Sequence, residues 1–598
     1  MSNTEKQKNN LIMRLKGANC KNCYKCVRAC PVKAISILAE KATIDEKRCI
    51  YCGKCYLVCP QDARDLFSEM DRVKLMISAG EKVYFSISST FSEYFMNSNF
   101  RQLGAALKKM GAARVEETAI GTMRVMQEYE RLADEDKMTN IFTSACPSSN
   151  FLIQKYYPEL IKYLAPVDTP IEAHAKMMRK AYGSDIRVVT VGPCIACHKL
   201  AYISYNGDLI DAYINFEELD SWMKEEGVAI TQEEDPETYM VSNYRARYFD
   251  ESGGVFRALK NDIKYNYMLW NIDGSTRIMN TFKDVNDSIK GYFMELTGCQ
   301  NSCLGGPIMR MGGRDTFTGK DHWLYLLKDG KGEEHVNPSE FADVDISKHY
   351  IRMDFYEPMP TEEEIRDLLA LVGKTRRGHM LDCSGCGYPT CRDKAIAVYR
   401  GMADPFMCIP YARDRAEAES NHLFEFMPNG IVLADKDLKI ADINPKAAEI
   451  LGGSKEDFRG TDVRDIMLTQ FIDKARMKEL DVINDVVLCD KLNKVLAVTF
   501  FRIPRHNLYV LVINDMTEEA ASHRKEHQLR EDAINVAQDV VQKQMRIAQE
   551  IASLLGETTA ETKLAVNKLK SMLETCLLYT SLMNRDRPLI PVSTVIVT

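Results

Sequence analysis

The sequence predicts a multidomain protein of mixed α+β and α/β class. Three observations predict it. At 598 residues the chain is too long for one hydrophobic core. Its 19 cysteines are clustered, with eight before residue 60, five between 146 and 303 and four between 383 and 408. Only Cys489 and Cys576 stand alone. The apolar period also changes along the chain, from strand–helix alternation to short strands and then to steps of three and four.

The bulk numbers exclude several classes. A net charge of −7 gives no case for a nucleic-acid or anionic-membrane surface. No apolar run reaches transmembrane length, and the opening MSNTEKQKNN is too polar for a signal peptide. The expected location is cytoplasmic, where so many cysteines argue for metal sites over disulfides.

Cys20, Cys23, Cys26, Cys30 and Pro31 form C-x2-C-x2-C-x3-C-P, and Cys49, Cys52, Cys55, Cys59 and Pro60 repeat it. This is the bacterial ferredoxin pattern, in which the fourth cysteine of each half serves the other cluster. One 4Fe–4S cluster then takes Cys20, Cys23, Cys26 and Cys59, and the other Cys49, Cys52, Cys55 and Cys30. A zinc site needs only four thiolates and no proline after each set. Two clusters in one module point to electron relay.

From about residue 71 to 355 the pattern is α/β. Residues 82–88, 141–143 and 186–191 read as strands, and 91–110, 151–164 and 171–182 as helices, so parallel sheets with covering helices are expected. Ligands in such folds sit at the carboxyl ends of strands. Cys146 in TSACPSSN and Cys194 in VGPCIACHK fall at such ends. Cys299 and Cys303 follow in ELTGCQNSCLGGP, four residues apart, a spacing that one helical turn would bring onto one face. Gly305 and Gly306 allow close backbone approach there. Four thiolates suffice for a 4Fe–4S cluster.

TSACP, GPCIACHK and ELTGCQNSCLGGP resemble, in order and rough spacing, the three cluster-binding signatures of the FeFe hydrogenase catalytic domain. Gly253-Gly254-Val255 matches a further family segment. The resemblance implies an H-cluster: a 4Fe–4S cube on Cys146, Cys194, Cys299 and Cys303, with Cys303 bridging to a two-iron unit carrying CO, cyanide and a dithiolate. It further implies H2 as the small-molecule partner and ferredoxin or another redox protein as electron partner. The sequence also departs from the family. A relay cysteine before the first ligand is Ala145. A cyanide-contacting lysine after the second ligand is Cys197. Two pocket methionines are Gly192 and Thr297. The family's acidic relay segment corresponds to residues 125–130, with Tyr129 at one of its glutamates. The ligands are kept while the proton wire is not, which implies slow turnover, since acid–base steps typically contribute about 10²–10⁴-fold. Cys197 reads as a packing neighbour, a tuning group beside the cluster or a new proton donor.

Residues 361–374 read as an amphipathic helix with an acidic first turn. Cys383, Cys386, Cys391 and Cys408 follow, resembling a small 4Fe–4S domain, with zinc as the competing occupant. Residues 428–452, with Phe458-Arg-Gly and a closing NDMTEE, resemble a PAS domain, with further strands at 485–489, 495–502 and 509–513. Cys489 reads as a core residue there. Beyond Thr517 a helix places Ala537, Val540, Gln544, Ile547, Ile551 and Leu554 on one seam. Gly556 breaks it, Thr558 and Glu561 form a capping box, and the helix resumes to about Leu573.

The expected domains are thus 10–70 (two-cluster ferredoxin fold), 71–355 (hydrogenase type), 356–415 (4Fe–4S), 416–516 (PAS), 517–575 (signalling helices) and a tail at 576–598. The expected cofactors are three 4Fe–4S clusters and an H-cluster. With no kinase, phosphatase or DNA-binding module on the chain, the favoured reading is a hydrogen or redox sensor whose output partner, a kinase or phosphatase, is a separate protein. A homodimer would form through the C-terminal helices. The alternatives are a working ferredoxin-dependent hydrogenase and a non-catalytic iron–sulfur scaffold.

Overall fold

A computed structural model describes residues 12–16, 19–38, 41–96, 98–203, 209–238, 244–259, 267–286, 288–309, 316–329, 343–466, 482–489, 492–503, 508–554 and 565–572. The sequence features at Gly556, Thr558, Glu561 and Cys576, with the tail 576–598, lie outside them. The described residues fall into two compact units divided between Ala412 and Arg413.

In the first unit the cysteine repeat is also a backbone repeat. Strand Met13–Leu15 pairs antiparallel with Arg64–Leu66, and Ile35–Leu38 with Lys41–Ile44. Short helices Lys25–Ala29 and Lys54–Leu57 follow the first two cysteines of each half. Left-handed residues recur at the 29-residue offset of the cysteines: Asn22 and Tyr51, Tyr24 and Gly53, Lys33 and Asp62. So do the amides that cap sulfur: Ala34 N–H donates to Cys30 Sγ (3.2 Å) and Ala63 N–H to Cys59 Sγ (3.3 Å).

Two parallel sheets follow. One runs Arg114–Glu117, Val83–Ile87, Arg187–Val191, Ala212–Ile214 in spatial order. The other runs Met268–Asp273, Tyr292–Thr297, Ile141–Phe142. The central strands Val83–Ile87, Arg187–Val191 and Tyr292–Thr297 are largely buried runs, as parallel sheets covered by helices require, while Met268–Asp273 leaves Met268 and Trp270 exposed. Two predicted helices differ in extent. Residues 91–110 form two helices, Phe91–Tyr94 and Phe100–Lys109. The break comes where Asn99 and Gln102 cap each other's backbone amides (2.9 and 3.0 Å) and restart the helix. The helix expected at 151–164 starts earlier, as Pro147–Tyr156, and gives way to a 3₁₀ turn, Pro158–Tyr163. Pro158 lacks the N–H that would continue the α-helix.

The last part of this unit holds helices Glu362–Ala370 and Cys391–Tyr399, each opened by a capping box, Thr361 with Glu364 and Thr390 with Asp393.

The second unit is a five-stranded antiparallel sheet in the order Ile440–Ile443, Gly430–Ala434, Leu508–Asp515, Lys494–Ile503, Val482–Cys489. The strand pattern reads correctly from sequence, with each strand somewhat longer than expected. Helices Pro445–Leu451, Lys455–Phe458 and Val463–Ile466 accompany the sheet, and Cys489 packs partly buried at its core edge. Asn444, fully buried, holds the strand-to-helix corner. Its side-chain oxygen accepts from Ile431 N–H (2.7 Å) and Ala447 N–H (2.9 Å), and its amide donates to Asn429 O (2.9 Å). Helix Thr517–Leu554 follows, with Val540, Ile547 and Ile551 all about half exposed, at 51%, 54% and 51%. Among the described residues no helix is long and apolar enough to cross a membrane.

Candidate metal centre

Three parallel strands from the two sheets deliver cysteines to one place. Ile141–Phe142 leads to Cys146, Arg187–Val191 to Cys194, and Tyr292–Thr297 to Cys299. Cys146, Cys194, Cys299 and Cys303 line a single cavity of about 110 Å³, and Cys197 and Ala145 line it with them. Backbone amides support two of the sulfurs: Gly298 N–H donates to Cys146 Sγ (3.3 Å) and Cys197 N–H to Cys194 Sγ (3.2 Å).

The Cys299–Cys303 pair does not sit on one α-helical turn. Asn301 (φ 64°) and Ser302 (φ 55°) are left-handed and feed a 3₁₀ turn, Ser302–Gly305, so the two cysteines reach one cavity through a reversed loop. A Cβ on Gly305 would lie 1.8 Å from Gln300 O, and one on Gly306 would lie 2.9 Å from Cys303 O, so close approach explains both glycines.

Burial pushes the thiols of Cys299 and Cys303 well up, and Cys146 up, with neighbouring sulfurs adding to the effect. Cys194 moves down because the Cys197 thiol donates to it, and Cys197 moves well up for the same reason. Four thiolates in so apolar a site need a cationic partner, and an iron–sulfur cluster is one. Thr190 Oγ1, Thr297 Oγ1 and Ser302 Oγ belong to cavity-lining residues and find no hydrogen-bond partner among the described residues. The donor set and these orphaned hydroxyls fit a cluster bearing further acceptor ligands.

Sequence reasoning missed the acids around this cavity. Asp250 lines it and its carboxylate accepts from the Cys303 thiol; burial, reinforced by Glu117 and Glu93, pushes it up to about 7. Glu117 is fully buried against Arg247 (2.7 and 2.9 Å) and also accepts from Ser89 (2.8 Å). Glu295, also fully buried, accepts from the amides of Gly253 (3.0 Å) and Val255 (3.1 Å), yet burial still pushes it up to about 8. The only sequence signal for Asp250 was its place three residues before Gly253-Gly254-Val255. Tyr129 is fully buried: its hydroxyl accepts from Ser144 N–H (2.8 Å), lies 3.3 Å from Ser144 Oγ, and its ring stacks on Phe249 (6.2 Å).

The second cysteine loop of the repeat, not the first, docks on the cavity wall. Tyr51 and Cys52 line the cavity, Ser148 Oγ donates to Ile50 O (2.9 Å), and Lys155 Nζ donates to Cys49 O (2.7 Å). The first loop does not line this cavity, and its Cys23 is exposed. Cys383, Cys386, Cys391 and Cys408 come from the small domain: Cys391 and Cys408 are buried, Cys386 is partly buried and Cys383 is exposed. Among the described residues no three His, Cys, Asp or Glu side chains close on a single-ion site.

Residues 74–307 match the family described as iron only hydrogenase large subunit, C-terminal domain. Residues 19–63 match a 4Fe-4S dicluster domain, 380–410 an Fe-S cluster family and 420–486 a PAS domain. Iron hydrogenase 1 of Clostridium pasteurianum is 24% identical over 342 residues, covering 47% of this chain and 55% of that relative. The chain therefore spans little more than half of that relative's length. An apo FeFe-hydrogenase variant of Chlamydomonas reinhardtii aligns over 48% of this chain and 100% of its own, at 15% identity and a TM-score of 0.38. The PAS domain of an HTR-like protein from Haloarcula marismortui aligns over 17% of this chain and 98% of its own, at 14% identity and a TM-score of 0.15.

Proposed function

We propose that this chain, whose residues match an iron only hydrogenase domain, a 4Fe-4S dicluster domain, an Fe-S cluster segment and a PAS domain, binds and slowly activates H2 and reports the event as a hydrogen or redox sensor. The observation that carries the reading is the single cavity in which Cys146, Cys194, Cys299 and Cys303 converge while Ala145 stands beside them in place of a proton-relaying thiol.

Cys146, Cys194, Cys299 and Cys303 would hold the cube of an H-cluster, with Cys303 also bridging to the two-iron unit. When bound, that group supplies the site at which H2 is split into two protons and two electrons. The chain's own residues set how fast this runs. Ala145 neither donates nor accepts a proton, so proton exit lacks its usual first step. The Cys197 thiol donates to the Cys194 sulfur, withdraws electron density from it and favours the reduced state of the site. Cys20, Cys23, Cys26 and Cys59 would hold one relay cluster, Cys49, Cys52, Cys55 and Cys30 the second, and Cys383, Cys386, Cys391 and Cys408 a third 4Fe–4S cluster. The exposed seam of Val540, Ile547 and Ile551 supports a homodimer through the C-terminal helices, and a separate kinase or phosphatase would take the output. The setting is cytoplasmic.

The test is infrared spectroscopy of protein matured anaerobically with the two-iron unit, under H2 and under argon. CO and cyanide bands that shift under H2, with turnover far below that of ordinary hydrogenases, are expected. Absence of those bands overturns the reading, and turnover at ordinary hydrogenase rates overturns its sensory part. A catalytic, ferredoxin-dependent hydrogenase is the second reading. The docking of the Tyr51–Cys52 loop on the cavity favours it, because it offers a short route for electrons in either direction.

A further inference from the structure

The small domain at residues 380–410 is docked onto the first cysteine loop of the repeat. Arg28 clamps the two: Nη1 donates to Gly385 O (2.8 Å) and Nη2 to Cys23 O (3.0 Å). Ile37 N–H donates to Met402 O (3.1 Å). Gly387, at φ +99°, lies so close that a Cβ there would stand 2.7 Å from Val27 Cγ1. Tyr388 is buried in the same core as Val27 and Cys30. The cysteines of the two modules thus share one packed body.

Lysines surround the small domain's cysteines. Lys374 Nζ lies 2.8 Å from Cys391 Sγ and also donates to Cys408. Lys394, buried among the same side chains, donates to Pro405 O and faces Cys408 and Cys386. Lys33 Nζ donates to Val27 O (3.0 Å) and Arg28 O (3.3 Å), with Cys30 and Cys386 as its nearest thiols. The opposing acids are Asp382, exposed to solvent, whose carboxylate accepts from Cys391 N–H (2.6 Å), Asp393 facing Lys33 and Asp404 facing Lys394. At the main cavity the cation near Cys299 is Lys54.

A cluster held by four thiolates gains a negative charge on reduction. Cations and hydrogen bonds to its sulfurs therefore raise its potential. From this arrangement we infer that the ammonium of Lys374 against Cys391 raises the reduction potential of the cluster that Cys383, Cys386, Cys391 and Cys408 would hold. The repeat has a contact of the same kind, Arg64 Nη2 to Cys26 Sγ at 3.3 Å, so the effect is read within this site and not as a ranking against the repeat. Lys374 is a positioning and tuning residue, since it touches a ligand sulfur and not the substrate. The inference rests on the iron–sulfur part of the proposed function and does not need the two-iron unit, so it stands or falls separately from hydrogen binding.

The full chain, reconstituted with iron and sulfide alone, is titrated with dithionite and followed by electron paramagnetic resonance. The wave of this cage is the one removed by Cys383→Ala. Lys374→Met should lower its reduction equilibrium at least tenfold, about 59 mV for one electron. Lys374→Arg should restore it, and Lys374→Gln, which keeps a donor without the charge, should fall between. If the Met variant loses iron, the Gln variant decides. Iron-replete Met and Gln variants that titrate as the unaltered chain does overturn the inference. So does the absence of any wave removed by Cys383→Ala.

Discussion

Gly53 is where the repeat meets the cavity wall, and adding one methyl group there tests how tightly the two are joined. Its φ is +71°, and a Cβ would lie 2.2 Å from Pro307 Cγ and 2.9 Å from Ile195 Cδ1. Pro307 closes the loop that carries Cys299 and Cys303, so the clash falls directly behind the cage. A left-handed alanine costs roughly 1–2 kcal/mol, offset by about 0.4–1 kcal/mol of lost freedom in the unfolded chain. Gly80 isolates that backbone contribution, because its φ is +74° and nothing lies within 4 Å of its would-be Cβ. Gly80→Ala should therefore cost no more than about 1.5 kcal/mol. Gly53→Ala adds overpacking against a proline ring that cannot rotate away, roughly a further 1–3 kcal/mol. All 3 tryptophans, Trp222, Trp270 and Trp323, lie in the hydrogenase-type domain, so urea unfolding followed by their fluorescence reports on the side of the contact that contributes Pro307. The expected result is a lower midpoint for Gly53→Ala than for Gly80→Ala. Equal midpoints would show that the docking contact yields freely and that the reasoning from the 2.2 Å approach is wrong.

Three further predictions follow from the same geometry. Ala145→Cys places a thiol on the cavity wall and should raise hydrogen turnover of matured protein several-fold, toward the roughly 10²–10⁴ of a positioned acid–base group; unchanged turnover in a gas-uptake assay would show that another step limits. Asn444→Ala leaves the amides of Ile431 and Ala447 without an acceptor, so it should cost about 2–4 kcal/mol and speed hydrogen exchange in Gly430–Ala434 and Ile440–Ile443; exchange as slow as in the unaltered chain would refute the corner's role. Ile547→Asp should turn a dimer into a monomer by sedimentation, while the same substitution leaves a monomeric chain's mass untouched and removes the case for pairing through this seam.

Much of this architecture was legible because cysteine is rare and its spacing is local. The repeat announced itself through Cys20–Cys30 and Cys49–Cys59, and the backbone follows it down to the left-handed residues that accompany each loop. Three parallel strands were legible as apolar runs, with Cys146 and Cys194 just past two of their carboxyl ends, while the strand Tyr292–Thr297 that leads to Cys299 was not read. The Cys299–Cys303 turn was misread, because a spacing of four suits a helix and nothing local marks Asn301 and Ser302 as left-handed. Asp250, the Glu117–Arg247 pair and the Lys374–Cys391 contact were not legible at all. Their partners stand far apart along the chain or carry no spacing rule, and only the packed fold makes them neighbours.

The matched halves of the cysteine repeat have a consequence for direction. Two loops with the same cysteine spacing, left-handed residues at the same offsets and the same amide-to-sulfur bonds share one backbone plan, which Arg64 already breaks by donating to Cys26 Sγ of the first half (3.3 Å). Further bias comes from outside the repeat: Pro307 and the cavity wall press on one loop, while Gly385 and Gly387 of the small domain press on the other. A repeated module has thereby acquired an inside and an outside end, through what was packed against it and without the change of a single cysteine.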